Sequence, residues 1–187
     1  MTPDEFRDRW CDVEDEGLIL FTEEALAGIS LPEDSREFLI FAGLPDAAAP
    51  FLDFKTPASG PLPNVAESWQ QGAGFRRYRI IGSNGSGDPV CIDEAENGQV
   101  VYLNHDFNFK RVLSNSSIPA LAESLVVYRE FIREVQKRNG EDAWLDGDIP
   151  EDVLESIDGE LKRIDPAGMQ PGCFWSFELE RLLEEQE

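Results

Sequence analysis

Between Arg77 and Ile164 the sequence changes its hydrophobic period once, and that change restricts the fold more than any other feature. Up to Leu113 the apolar residues alternate, as they do along half-buried strands. Arg77–Ile81, Pro89–Asp93 and Gln99–Leu103 read as strands, with Tyr78/Ile80, Val90/Ile92 and Val101/Leu103 at alternate positions expected on one face. Asn97-Gly98 marks a hairpin between the last two, because both residues accept the positive φ that tight turns require. A further strand is expected through Phe109–Leu113, which makes the stretch an antiparallel meander. From Ser117 the spacing becomes helical. Leu121, Leu125, Tyr128, Ile132 and Val135 recur at steps of four and three until Gly140 ends the element.

The flanks are helical. Asp4–Cys11 sets Phe6 and Trp10 on one face behind Pro3, a residue tolerated in a first turn. Leu18–Phe21 is a short apolar run read as a strand. Leu31-Pro32-Glu33-Asp34 opens another helix, with Phe38, Leu39, Phe41 and Ala42 as its buried face and Gly43 and Pro45 as its stop. Residues 56–74, rich in Pro and Gly, read as an irregular surface loop. Beyond Gly140, Val153, Leu154, Ile157, Leu161 and Ile164 trace a helix ended by Pro166, with Asp148 and Glu151 as a capping-box variant at its start. Trp175, Leu179 and Leu182 trace the last helix. The expected fold class is therefore α+β, a mainly antiparallel sheet flanked by N-terminal and C-terminal helices, and 187 residues suit a single domain over 1–187.

Charge narrows the function. The chain carries 38 Asp and Glu against 16 Lys and Arg, a formal net charge of −22. Such a surface repels phosphate backbones, so direct nucleic-acid binding is excluded as a first reading. Residues 1–60 hold 14 acids and four bases, residues 61–140 nine of each, and residues 141–187 15 acids and three bases. The excess sits at the two ends, as expected of a surface that meets something basic, although acidic surfaces also serve solubility. No apolar run approaches the roughly 18 residues of a membrane span, and no basic-then-apolar leader opens the chain. Three widely spaced cysteines (Cys11, Cys91, Cys173) suit a reducing compartment, so a soluble cytoplasmic protein without a membrane role is expected.

Four constellations bear on chemistry. Gly82–Asp88 resembles a phosphate loop, yet a strand and not a helix follows at Pro89, so a hairpin connection is favoured. Asp12, Glu14, Glu16, Gly17, Ile19 and Glu23 repeat the spacing of a calcium loop, but Glu at the third and fifth positions misplaces the oxygens. Neither a metal nor any other cofactor is expected. His105-Asp106 has the makings of a general base, but no serine or cysteine lies in a nucleophile setting, and a histidine held by turn hydrogen bonds is favoured. Carboxylate pairs for glycoside hydrolysis exist in number, and that number makes any one pair arbitrary. Catalytic residues are accordingly expected to be absent.

Several short motifs occur in an order that resembles a known family. Leu31-Pro-x4-Glu-Phe-Leu-x3-Gly43-Leu44-Pro45 is followed by Tyr78-Arg-Ile-Ile-Gly82, Gly87-Asp88-Pro-Val-Cys-Ile-Asp93 and Gly98-Gln-Val-Val-Tyr102-Leu103-Asn-His-Asp106. Val112-Leu-Ser-Asn115-Ser116 then opens the long helix, and Ile164-Asp165-Pro166-Ala167 with Phe174-Trp175 precedes the last. The series is similar to the SUKH superfamily of bacterial immunity proteins, in particular its fourth subgroup, over roughly Leu18–Leu183. The resemblance implies a non-catalytic α+β protein that binds and neutralises a cognate toxin, often a nuclease or deaminase, inside the producing cell. It implies scaffold roles for Gly43–Pro45 as helix stop, Gly82 and Gly87 as hairpin turns, and Tyr102 and Trp175 as core. The 56–74 loop departs from the pattern.

Resemblance and charge meet at the partner. A toxin that acts on nucleic acid needs a basic cleft, which carboxylates can occupy in place of phosphates. The expected partner-binding surface is Glu141, Asp142, Asp146, Asp148, Glu151, Asp152 and Glu155, with Asp12, Glu14, Asp15 and Glu16 as second choice. Two alternatives come from other classes: a regulatory or scaffold binding module with an endogenous partner, and a hydrolase built on a carboxylate pair.

Overall fold

The computed structural model describes residues 1–11 and 17–184. Among them are six helices: α1 (Pro3–Trp10), α2 (Glu33–Phe41), α3 (Val65–Ser68), α4 (Ile118–Asn139), α5 (Glu151–Ile164) and α6 (Phe174–Glu184). The strands are β1 (Leu18–Ile19), β2 (Leu44–Pro45), β3 (Ala47–Ala48), β4 (Leu52–Phe54), β5 (Tyr78–Asn84), β6 (Pro89–Asp93), β7 (Gln99–Asn104) and β8 (Lys110–Asn115). Strands β3 to β8 form one six-stranded antiparallel sheet in chain order, and β1 pairs with β2 in a small second sheet. The α+β meander expected from the sequence is this sheet.

Helix α4 organises one side of it. Ser117 caps its start by accepting from the Ala120 amide (3.2 Å), and Gly140 ends it. Its buried residues run almost all round the helix, from Leu121, Ala122 and Leu125 to Tyr128, Phe131 and Val135, the mark of a helix enclosed by neighbours. It lies on β7 and β8, while α1, α2 and α5 pack against it. The core continues from Phe6 and Trp10 through Phe38 and Ile92 to Trp175 and Leu182.

The sheet has a second apolar face, and here the structure corrects two readings. Ile80 pairs with Cys91, Cys91 with Val101, and Val101 with Leu113, which aligns all four on the outer face. Val90 and Ile92 point instead to the helical core, with Ile81 and Val100. The alternation within each strand is as read, but the three pairs do not share a face. With both faces apolar, a strand's own period cannot say which side is which. The cover of the outer face comes from the stretch read as irregular loop: Asn64 caps the short α3 through the Glu67 amide (3.1 Å), Val65 is buried against Cys91, Val101 and Leu103, and Phe75 packs beside them.

Other differences are local. Only Leu18 and Ile19 of the first apolar run pair as a strand; Phe21 enters the core and Leu20 stays exposed. Phe41, expected in the buried face of α2, is 59% exposed, because Phe38, Leu39 and Ala42 already fill that face. Gly43 does stop α2, with φ +73 and only 2.2 Å between an added Cβ and the Ile19 carbonyl oxygen. Gly82 is no turn residue. It lies inside β5 beside a register shift, where a Cβ would come within 2.1 Å of the Asp53 carbonyl oxygen. The Asp148–Glu151 capping box does not form: Pro150 is the cap residue of α5, and Asp148 bonds elsewhere. Tyr102 is half-buried against the Phe174 ring, while Trp175 is core, its indole donating to Asn115 Oδ1 (2.9 Å).

Candidate interaction surface

The segment after α4 folds into successive turns and leads into α5. Glu141, Asp142, Asp146, Asp148, Glu151, Asp152 and Glu155 are all exposed, while Ala143, Trp144, Ile149, Val153 and Leu154 between them are buried. That division follows from sequence spacing: acids at turn corners and on the outer face of α5, apolar residues inward. Hydrogen bonds to the end of α4 hold the segment. Gln136 donates to the Glu141 carbonyl (2.9 Å), and Asn139 Nδ2 donates to both the carbonyl and Oδ1 of Asp148 (3.0 Å each). Trp144 donates its indole N–H to the Tyr128 hydroxyl (3.3 Å), which donates onward to Glu178. Burial and the adjoining Glu178 carboxylate push the Tyr128 phenol far up, so it remains a donor.

The seven acids are not equivalent. Asp152 takes both oxygens to Arg138 Nη1 (3.0 and 2.7 Å), and that guanidinium holds its carboxyl below the usual carboxylate range. Arg138 also reaches Glu134 (2.7 Å), on the rim of a groove of about 450 Å³ between α4 and α5. The other cations of this groove are likewise matched to acids, Arg9 with Glu130 and Arg163 with Glu123 and Glu160. The groove is thus a closed set of surface ion pairs. Asp152 belongs to it more than to the outward-facing acids.

The second-choice acids, Asp12, Glu14, Asp15 and Glu16, lie outside the described residues, as do the first three residues of the calcium-like spacing, Asp12, Glu14 and Glu16. Among the described residues no three His, Cys, Asp or Glu side chains converge as a metal site. His105 begins the turn between β7 and β8. Its Nδ1 lies 2.6 Å from Asp88 Oδ1, which also accepts from the His105 amide (2.8 Å), and its ring lies against Trp69. The histidine is thus held not by its own turn, as expected, but by Asp88, 17 residues earlier in the connection between β5 and β6. Cys91 is fully buried and burial pushes its thiol up, so no thiolate forms there. Sequence reasoning passed over Leu145, which stands exposed among the acids; the Trp144-Leu145 pair inside an acidic run was the available signal.

No helix among the described residues is long and apolar enough to cross a membrane. No curated protein matches the chain. No solved structure matches it either. A family model does, over residues 12–181, and it spans α2, the whole meander, α4, α5 and most of α6. That family is one of immunity proteins, typically non-enzymatic, and membership implies a cognate toxin as partner. The chain belongs to the SUKH-4 immunity protein family.

Proposed function

We propose that the chain neutralises a toxin that acts on nucleic acid by laying the carboxylates of residues 141–155 into the toxin's basic cleft. The observation that carries this reading is the exposure of all seven acids on a segment pinned to the end of α4. Charge held on a fixed frame steers encounter and loses little freedom on docking. The remaining acids of residues 1–60 add to the same long-range field. The protein works in the compartment where its toxin is made, the cytoplasm.

The test measures association with the toxin encoded beside the gene, recovered by co-purification. Asp142, Asp146, Glu151 and Glu155 are reversed to Lys, and Asp152 is left alone because it is bound to Arg138. Association at low ionic strength should slow roughly tenfold or more, and its salt dependence should flatten. Equal rates for parent and variant at low salt would remove these carboxylates from the interface. A toxin without a basic cleft would end the phosphate-mimic mechanism and leave the immunity function standing.

A further inference from the structure

Beside the acids lies an apolar floor that the fold leaves partly uncovered. β3 and the turn after it bring Ala47, Ala48, Ala49 and Phe51 next to Trp144, whose ring centroid is 5.8 Å from that of Phe51. Two open hollows of about 580 and 480 Å³ share Ala47–Ala49 and Trp144 as a common wall. Leu145 lines the first hollow and is 62% exposed; Phe51 lines the second and is 58% exposed. Phe51 also has φ 58, a left-handed conformation that costs a bulky residue free energy. A large ring kept in a costly backbone state, with most of its surface in water, gives the fold little beyond its contact with Trp144.

We propose that this floor is the apolar centre of the toxin interface, with Phe51 and Leu145 as its anchors. The proposal rests on the reading that the 141–155 acids face the toxin. It has the anatomy of a binding hot spot, large apolar groups at the centre and charge at the rim. Asp46 lines the first hollow and Asp53 the second, while Asp142 and Asp146 flank Leu145 in the chain. The cations at the first hollow are committed inside the protein. Arg129 lies over the Trp10 ring at 4.2 Å and donates to the Trp10 carbonyl (2.7 Å), and Arg133 is already engaged.

That rim selects the occupant. A second copy of the chain, docked about a two-fold axis, would set the same carboxylates against themselves on molecules of net charge −22. The surface instead fits a basic protein that offers apolar side chains ringed by Lys and Arg. The indole of Trp144, fixed from behind by Tyr128, is preorganised for it.

The experiment compares the parent with Phe51→Asn, Leu145→Ser and the double variant for binding to the co-purified toxin. Asn tolerates the left-handed region, so Phe51→Asn should leave the melting temperature unchanged or raised. The double variant should bind about thirtyfold more weakly, the loss falling in faster dissociation. Reversal of the acids acts on association, so the two readings fail separately. A double variant that binds as tightly as the parent overturns the anchors and leaves the acidic reading intact. An unchanged association rate after acid reversal, with fast dissociation of the double variant, retains the anchors and removes the acids. Sedimentation velocity supplies a further check. A parent dimer that becomes monomeric on Phe51→Asn would assign the floor to self-association and overturn the proposal. Leu145→Ser alone, in an exposed turn, keeps the test decisive if Phe51→Asn misfolds.

Discussion

Asp93 shows how one side chain can tie a sheet together. Fully buried at the end of β6, it accepts from Arg77 Nε and Nη2 (2.6 and 2.5 Å), from Arg111 Nε (3.1 Å) and from the Ala95 amide (3.2 Å). Burial pushes its carboxyl up, but the two guanidinium groups outweigh that and hold it below the usual carboxylate range. A depressed aspartate stabilises the fold fully above about pH 4, where the unfolded group ionises, and the contribution is lost as pH falls through the folded value. Arg77→Ala should therefore lower stability at pH 7 by about 2 kcal/mol, less than for a wholly buried pair because Arg77 is one-third exposed and Arg111 remains. It should also reduce the loss of stability on acidification, measured by urea denaturation between pH 3 and 7. Equal losses for parent and variant would show that Asp93 does not govern the acid limb. Asp93 was legible as a strand end, but its partners were not: pairing it with Arg77 and Arg111 needs the register between strands, which no single strand's alternation contains.

The elements differ in how plainly the sequence announces them. α4, with 22 residues, repeats its period through five apolar positions and was readable from Ser117 to Gly140. α3 has four residues, too few for a helical period to appear, and it hides in a stretch whose Pro and Gly content reads as loop. Two of the meander's connections share one construction. Asp93 or Asn104 caps a 3₁₀ turn that ends in a left-handed Asn97 or Asn108. Only the first was visible as a hairpin, because Gly98 follows Asn97, whereas Phe109 follows Asn108 and takes φ 56 while packing edge-on against Trp69 and Phe75. That aromatic group, with α3, closes the outer face of the sheet. Val65→Ala should accordingly cost about 2 kcal/mol in chemical denaturation, as for other fully buried aliphatic truncations. Toxin affinity should stay unchanged, since Val65 lies against Cys91, Val101 and Leu103 and lines neither hollow. A loss below about 0.5 kcal/mol would mean that α3 is an ornament on the fold and not its second cover.

For the molecule as a whole, we propose one folding unit, since a single core runs from α1 to α6. The amino terminus pairs with Glu123 of α4 (3.1 Å), Arg163 of α5 reaches the same carboxylate (2.9 Å), and Asp165 accepts from the Ser116 amide (2.5 Å). Calorimetry should show a single transition whose calorimetric and van't Hoff enthalpies agree; two resolved transitions would divide the chain. At this scale the acidity was legible by counting, while the apolar floor was not. Phe51 and Leu145 are far apart in sequence, and single exposed hydrophobic residues are ordinary on any surface. Their meeting depends on β3 and the 141–148 turns arriving at one place. The placement of the four indoles then has an optical consequence. Trp10 and Trp175 are sealed in the core and Trp69 lies on the outer face by His105, whereas Trp144 forms the wall of both hollows. With Trp69 replaced by Phe, the intrinsic emission of the protein would come from three buried indoles, of which Trp144 alone lies under the proposed interface. The chain thus carries its own label-free reporter, whose wavelength registers the drying of that surface as a partner settles on it.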